Sequence, residues 1–177
     1  KQHEYDITLK TPGLPGQHVV RQYTTATHLF FACVPHKYII GVTGSKGKST
    51  TASLVYEFLR AGGKEARLIG NIGVPMLQSL MEQPIGIDEF CVVELSSYQL
   101  EDLDVSPHIA IVTSLFPEHL DYHGSLQAYY EAKRNIVRFQ TASDIFLYQQ
   151  GFPELIEWSQ QHQGIARLPD PLPFSIE

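Results

Sequence analysis

Lys48 and Ser49 close the turn Gly44-Ser45-Lys46-Gly47, which lies between a β-branched run at 38–42 and an amphipathic segment starting at Ser49. That order suits the capture of phosphate. Glycines permit positive φ and close backbone approach, and the N–H groups at a helix start point outward together, where an anion can use them. The Lys48 ammonium can reach β- and γ-phosphates, and the Ser49 hydroxyl can ligate Mg²⁺. The candidate phosphate-binding residues are therefore Gly44, Ser45, Lys46, Gly47, Lys48, Ser49 and Thr50. One position departs from the strict pattern, which places glycine at 42, where this chain has Val42. The competing reading is a Gly-Ser-Lys surface turn before an ordinary helix. The strand–turn–helix context favours the phosphate loop.

Three further groups could join it. Glu94 ends the most apolar run of the chain, at 90–95, where a phosphate-loop enzyme needs an acid to hold Mg²⁺; the alternative is a solvated strand-end residue. The loop 117–124 crowds Glu118, His119, Asp121 and His123 into a short span. These are potential ligands, although Mg²⁺ prefers oxygen, and a plain polar loop is an equal reading. Lys133 shares a helical face with Leu126, Tyr129 and Ile136. It is either a snorkelling lysine or a desolvated one with a nucleophilic, uncharged fraction. Spacing alone favours snorkelling.

The surrounding pattern must position these groups. Strands are expected at 38–42, 66–69, 90–95, 109–113, 144–148 and 165–168. Helices are expected at 49–61 (with Ala52, Val55, Phe58 and Leu59 inward), 75–81, 125–139 and 153–162. Apolar strands alternating with helices predict an α/β fold: a mostly parallel sheet with helices on both faces. Ligands then sit beyond the carboxyl ends of the strands. A leader at 1–36 holds a short strand at 5–9, the turn Thr11-Pro12-Gly13-Leu14-Pro15-Gly16, and a helix at 26–34 capped by Thr25.

The 177 residues, 43% of them apolar, can bury one good core. Thirteen Lys and Arg against 19 Asp and Glu give a net charge of −6, which argues against general nucleic-acid binding. Cys33 and Cys91 both lie in apolar runs and are expected to be buried thiols in a reducing compartment. No apolar run has the length of a membrane helix and no signal peptide is visible, so the expected location is cytoplasmic. The first residue is Lys1 rather than Met, the pattern expected of a fragment or a processed product.

Five motifs in order resemble the Mur ligase family of peptidoglycan synthesis: 42–50 (VTGSKGKST), 70–75 (GNIGVP), 93–100 (VELSSYQL), Glu118-His119-Leu120-Asp121, and Ala132-Lys133. The turn at 11–15 is similar to a Ser-Pro-Gly-Ile turn of that family. The resemblance spans about residues 5–148 and implies an ATP-dependent amide-bond-forming ligase. Its substrates would be UDP-N-acetylmuramoyl-L-alanine and D-glutamate, with no nucleic-acid or membrane partner. It further implies that Lys48 and the loop amides hold ATP and that Ser49 and Glu94 ligate Mg²⁺. His119 and a carbamate on Lys133 would hold a second Mg²⁺, making Lys48, His119 and Lys133 the catalytic set. Gly13, Asn71 and Ser96 would contact the muramoyl substrate. Lys46 stands where the family usually has Asn, and Thr11 replaces Ser. On this reading 1–36 is the tail of a uridine-nucleotide domain plus linker and 37–177 the central ATP-binding domain, with the C-terminal amino-acid-binding domain absent. Rival readings are a phosphate-loop kinase or GTPase, although no Asn-Lys-x-Asp motif is present, and a non-catalytic nucleotide-binding module. A third is another ligase of the family or a folylpolyglutamate synthase-like relative.

Overall fold

A computed structural model describes residues 6–19, 22–86, 88–162 and 165–167. The chain runs through β1 (Thr8–Lys10), β2 (Tyr23–Thr25), α1 (Ala26–Cys33), β3 (Ile39–Thr43), α2 (Lys48–Ala61), β4 (Ala66–Gly70), α3 (Met76–Glu82) and β5 (Phe90–Glu94). It continues through α4 (Ser97–Leu100), β6 (Ile109–Val112), α5 (Leu120–His123), α6 (Leu126–Arg138), β7 (Ile145–Tyr148), α7 (Pro153–Gln161) and β8 (Ile165–Arg167). Of the expected outer strands, position 5 of the first and position 168 of the last lie outside the described residues.

Six strands form one all-parallel sheet in the order β4-β5-β3-β6-β7-β8. Parallel neighbours cannot be joined by a tight hairpin, so each strand is followed by a crossover. From β3 the chain leads through α2 to β4 on one side, while β6, α6, β7, α7 and β8 extend the other. That reversal makes the carboxyl end of β3 a switch point, where doubly wound sheets open a crevice. The phosphate-loop sequence begins there.

One face carries the large core. Phe30 and Phe31 of α1, Tyr129 and Ile136 of α6, Phe146 of β7, and Leu155 and Trp158 of α7 all belong to it. Phe30 is fully buried, and truncating such a residue to Ala costs roughly 3–5 kcal/mol. The smaller core beneath α2 consists of Ala52 against Val42 and Val92, with Val55, Leu59 and Ile111 at its margin. The sheet is thinly covered here, and Ile111 and Leu147 are only half-buried beside an open groove.

Several sequence expectations fail in informative ways. Phe58 is 72% exposed, because α2 turns only Ala52, Val55, Tyr56 and Leu59 toward the sheet. Leu126 opens α6 and is exposed, since the first turn of that helix projects beyond the core. Cys33 is exposed at the last turn of α1, and only Cys91 is buried. The leader contains a second strand that sequence reading missed: β2 pairs in parallel with β1. Lys10 of β1 is buried against Asp102, which also accepts a 2.7 Å hydrogen bond from the Tyr23 hydroxyl, and Glu101 lies 3.6 Å from the Lys10 amine. Among the described residues no helix is long and apolar enough to cross a membrane.

Candidate active site

The loop between β3 and α2 is shaped by two glycines. Gly44 has φ of 149°, and a Cβ there would stand 2.0 Å from Thr113 Oγ1. Gly47 takes the left-handed conformation (φ 84°) as the N-cap of α2, where no side chain caps the helix. The first N–H groups of α2 are thus left without an intrahelical acceptor. The other side of the loop is tied down. Ser114 accepts from the Ser45 amide (2.9 Å) and, through its hydroxyl, from the Lys46 amide (2.8 Å). The Ser45 hydroxyl is buried between Phe116 and the Tyr129 hydroxyl. Ser45 therefore builds the loop through its side chain, while Ser49 and Thr50 on the first turn of α2 are exposed.

Lys48 folds its amine back onto the carbonyls of Gly44 and Ser45, each at 2.9 Å. Lys46 reaches outward to Glu118 at 2.9 Å. Burial pushes the Glu118 carboxyl up, but the Lys46 ammonium together with Lys48 and His119 outweighs it and holds the group below the usual carboxylate range.

Lys133 does not snorkel. It is 2% exposed, and its amine donates to the Gly44 carbonyl at 2.9 Å and sits 4.9 Å from the centre of the Tyr129 ring. Burial, reinforced by the neighbouring Lys48 ammonium and opposed by Glu118, pushes this amine down to about 7. The group is an oddity for a structural lysine: a nearly buried amine held beside a second cation at the edge of a cleft.

Glu94, at the end of β5, is 1% exposed. One carboxylate oxygen accepts from Asn71 Nδ2 at 3.0 Å, and the other is buried with no hydrogen-bond partner. A buried orphan carboxylate oxygen is costly and fits a cation as its missing partner. Asn71 is held by its own amide on the Glu94 carbonyl, and this close approach needs Gly70, where a Cβ would lie 2.4 Å from that carbonyl.

His119 carries the left-handed conformation (φ 54°), the sole positive φ outside glycine among the described residues. Such strain concentrates at functional positions. Its ring centre lies 5.0 Å from that of Tyr98. His123 bonds the Ser97 hydroxyl at 3.0 Å, and burial lowers its basicity.

A single cleft of about 410 Å³ is lined by Gly13, Lys48, Asn71, Ser96, His119 and Lys133, all six expected from sequence. Glu118, a candidate ligand from sequence, lines it too, as do Pro12, Ser97, Tyr98 and Gln99, which lie in the quoted motifs but have no role of their own from sequence. The Ser96-Ser97-Tyr98-Gln99 spacing is a readable capping-box signal, and the Ser96 and Gln99 side chains do cap α4 reciprocally. Thr113 and Ser114, which pin the loop from just past the end of β6, left no comparable signal.

The family described as Mur ligase middle domain matches residues 42–166. The chain belongs to the Mur ligase family. Among curated relatives, it is 40% identical over 148 residues to the UDP-N-acetylmuramoylalanine–D-glutamate ligase of Acetivibrio thermocellus, covering 79% of this chain and 31% of that one. It is 37% identical over 170 residues to the Streptococcus uberis enzyme of the same name, covering 91% and 37%. The chain thus spans about a third of the length of these Mur ligases. Solved structures agree in fold. The UDP-N-acetylmuramate:L-alanyl-gamma-D-glutamyl-meso-diaminopimelate ligase from Neisseria meningitides superposes with a TM-score of 0.66 at 19% identity, covering 93% of this chain and 58% of that one. MurF from Thermotoga maritima in complex with ADP superposes with 0.61 at 18% identity, covering 80% and 34%.

Proposed function

We propose that this chain is the ATP-binding part of a ligase that joins D-glutamate to UDP-N-acetylmuramoyl-L-alanine in the cytoplasm. Residues 1–36 are read as the end of a uridine-nucleotide domain with its linker, and 37–177 as the central domain. One observation carries the reading: the buried Lys133 amine and the orphan Glu94 oxygen belong to elements that meet around one phosphate loop, next to a cleft holding Asn71, Ser96 and His119. The relatives' shared name supports the choice of amino acid.

In this account the free N–H groups of α2 and the Lys48 ammonium take the ATP phosphates. Ser49, Glu94, His119 and Lys133 as a carbamate are the residues that would hold Mg²⁺, which supplies positive charge toward the phosphate oxygens when bound. The Lys133 carbamate forms when the neutral amine nitrogen attacks CO₂. An N–C bond forms, an electron pair moves from a C=O bond to oxygen, and the nitrogen proton passes to solvent. A cation then becomes an oxygen donor. Gly13, Asn71 and Ser96 orient the muramoyl substrate so that its carboxylate oxygen attacks the γ-phosphorus, releasing ADP and leaving an acyl phosphate. The D-glutamate amine attacks the acyl carbon, and phosphate departs. Lys48 offsets the charge that builds on the transferring group.

The test is the whole protein assayed with ATP, Mg²⁺, UDP-N-acetylmuramoyl-L-alanine and a panel of amino acids. Product with D-glutamate alone supports the proposal. Product with another amino acid moves the chain to a sister ligase, and a phosphorylated acceptor without amide makes it a kinase.

A further inference from the structure

The opposite rim of the sheet carries a second cluster of chemically capable side chains. His36 precedes β3, His108 precedes β6 and Asp144 precedes β7, so all three stand at the amino ends of adjacent strands, away from the phosphate loop. His36 Nε2 lies 2.7 Å and His108 Nδ1 2.8 Å from the same oxygen, Asp144 Oδ1. The three atoms all fall within 4.8 Å of one another.

We propose that His36, His108 and Asp144 form a site for a divalent transition-metal ion of the zinc class. Two imidazoles and a carboxylate are the ligand types that class prefers. The carboxylate is oriented from behind: its other oxygen accepts from the Thr141 amide (2.6 Å) and hydroxyl (3.0 Å), and its side chain is fully buried. Hydrogen bonding of a ligating carboxylate is the usual support for such a site. Access comes from the other side, where the His36 side chain is 53% exposed and leaves room for a solvent ligand. With metal–nitrogen and metal–oxygen bonds of about 2.0–2.2 Å in a tetrahedron, each nitrogen retreats from Oδ1 by roughly half an ångström. Each ring then carries its proton on its far nitrogen, so that a lone pair faces the ion. His36 precedes β3 at the end of the leader, so the ion would staple the leader to β6 and β7.

The experiment titrates Co²⁺, then Zn²⁺, into chelator-treated protein held in excess Mg²⁺. The proposal expects one Co²⁺ per chain with the intense visible absorption of a tetrahedral site, and a rise in unfolding temperature with Zn²⁺. His36→Ala, with His36→Gln as a second variant, keeps the fold because the side chain is exposed. Each should lose the tetrahedral spectrum and bind at least roughly tenfold more weakly. Weak octahedral absorption in the parent, or an unchanged tetrahedral spectrum in both variants, overturns the site and leaves a hydrogen-bonded tie between two histidines and one aspartate.

Discussion

Lys133 donates from the middle of α6 to the carbonyl of Gly44, the residue that opens the phosphate loop, at 2.9 Å and across 89 positions of sequence. The contact joins a buried amine to a glycine that leaves no room for a Cβ. A neutral amine suits that position better than an ammonium, and the pH behaviour follows from it.

The Lys133 amine is lowered from 10.5 to about 7. Below pH 7 it is charged in both folded and unfolded chains, and the folded state bears the full cost. Between pH 7 and 10.5 the unfolded chain binds the extra proton, so stability rises with pH, by up to about 1.4 kcal/mol per unit from this group. Lys133→Met should flatten that rise. Urea unfolding of both proteins at pH 7, 8 and 9 checks it, and parallel curves would show that the lysine titrates normally.

Gly44→Ala should disable the loop. The added methyl meets Thr113 Oγ1 at 2.0 Å, and the backbone there has φ of 149°. Strain of about 1–3 kcal/mol should lower the unfolding midpoint and abolish ATP binding together. An unaltered ATP isotherm would mean the loop relaxes at no cost.

Lys48→Ala should separate binding from folding. The amine bonds the loop carbonyls of Gly44 and Ser45 and no core group among the described residues, so circular dichroism should not change. Loss of charge-assisted phosphate bonds, roughly 1.5–3 kcal/mol, predicts ATP affinity lower by about ten- to hundredfold. Equal affinity would remove Lys48 from the nucleotide site.

Glu94→Gln should keep the Asn71 contact and remove a buried charge whose second oxygen has no partner. Stability should hold, while the Mg²⁺ dependence of ATP binding weakens. An unchanged Mg²⁺ titration would reduce Glu94 to a strand-end residue.

Lys10→Ala tests the leader. Removing the buried Lys10 amine leaves the half-buried Asp102 with the Tyr23 hydroxyl as a remaining partner, so the cost is at most about 3–5 kcal/mol. Thermal unfolding should reveal this, and a shift within error would show the leader to be energetically separate.

The parallel sheet and the glycine-shaped loop between β3 and α2 were legible because apolar strands and a strand–turn–helix glycine pattern are local signals. So was the Glu94 position, at the end of the 90–95 run. Lys133 was not: i, i+3 and i+4 spacing places the residue on a face, but only the approach of Gly44 from another element decides whether its amine reaches water. Phe58 and Cys33 misled for the same reason, since burial depends on which neighbour arrives. The pinning of the loop by Thr113 and Ser114 is a tertiary fact, created when β6 pairs beside β3.

The most direct test follows oxygen. With the whole protein, ATP, D-glutamate and a muramoyl substrate carrying ¹⁸O in its alanyl carboxylate, an acyl-phosphate route transfers one labelled oxygen to the phosphate released as the amide forms. The account predicts labelled phosphate in step with amide product. Amide formed with unlabelled phosphate would contradict it.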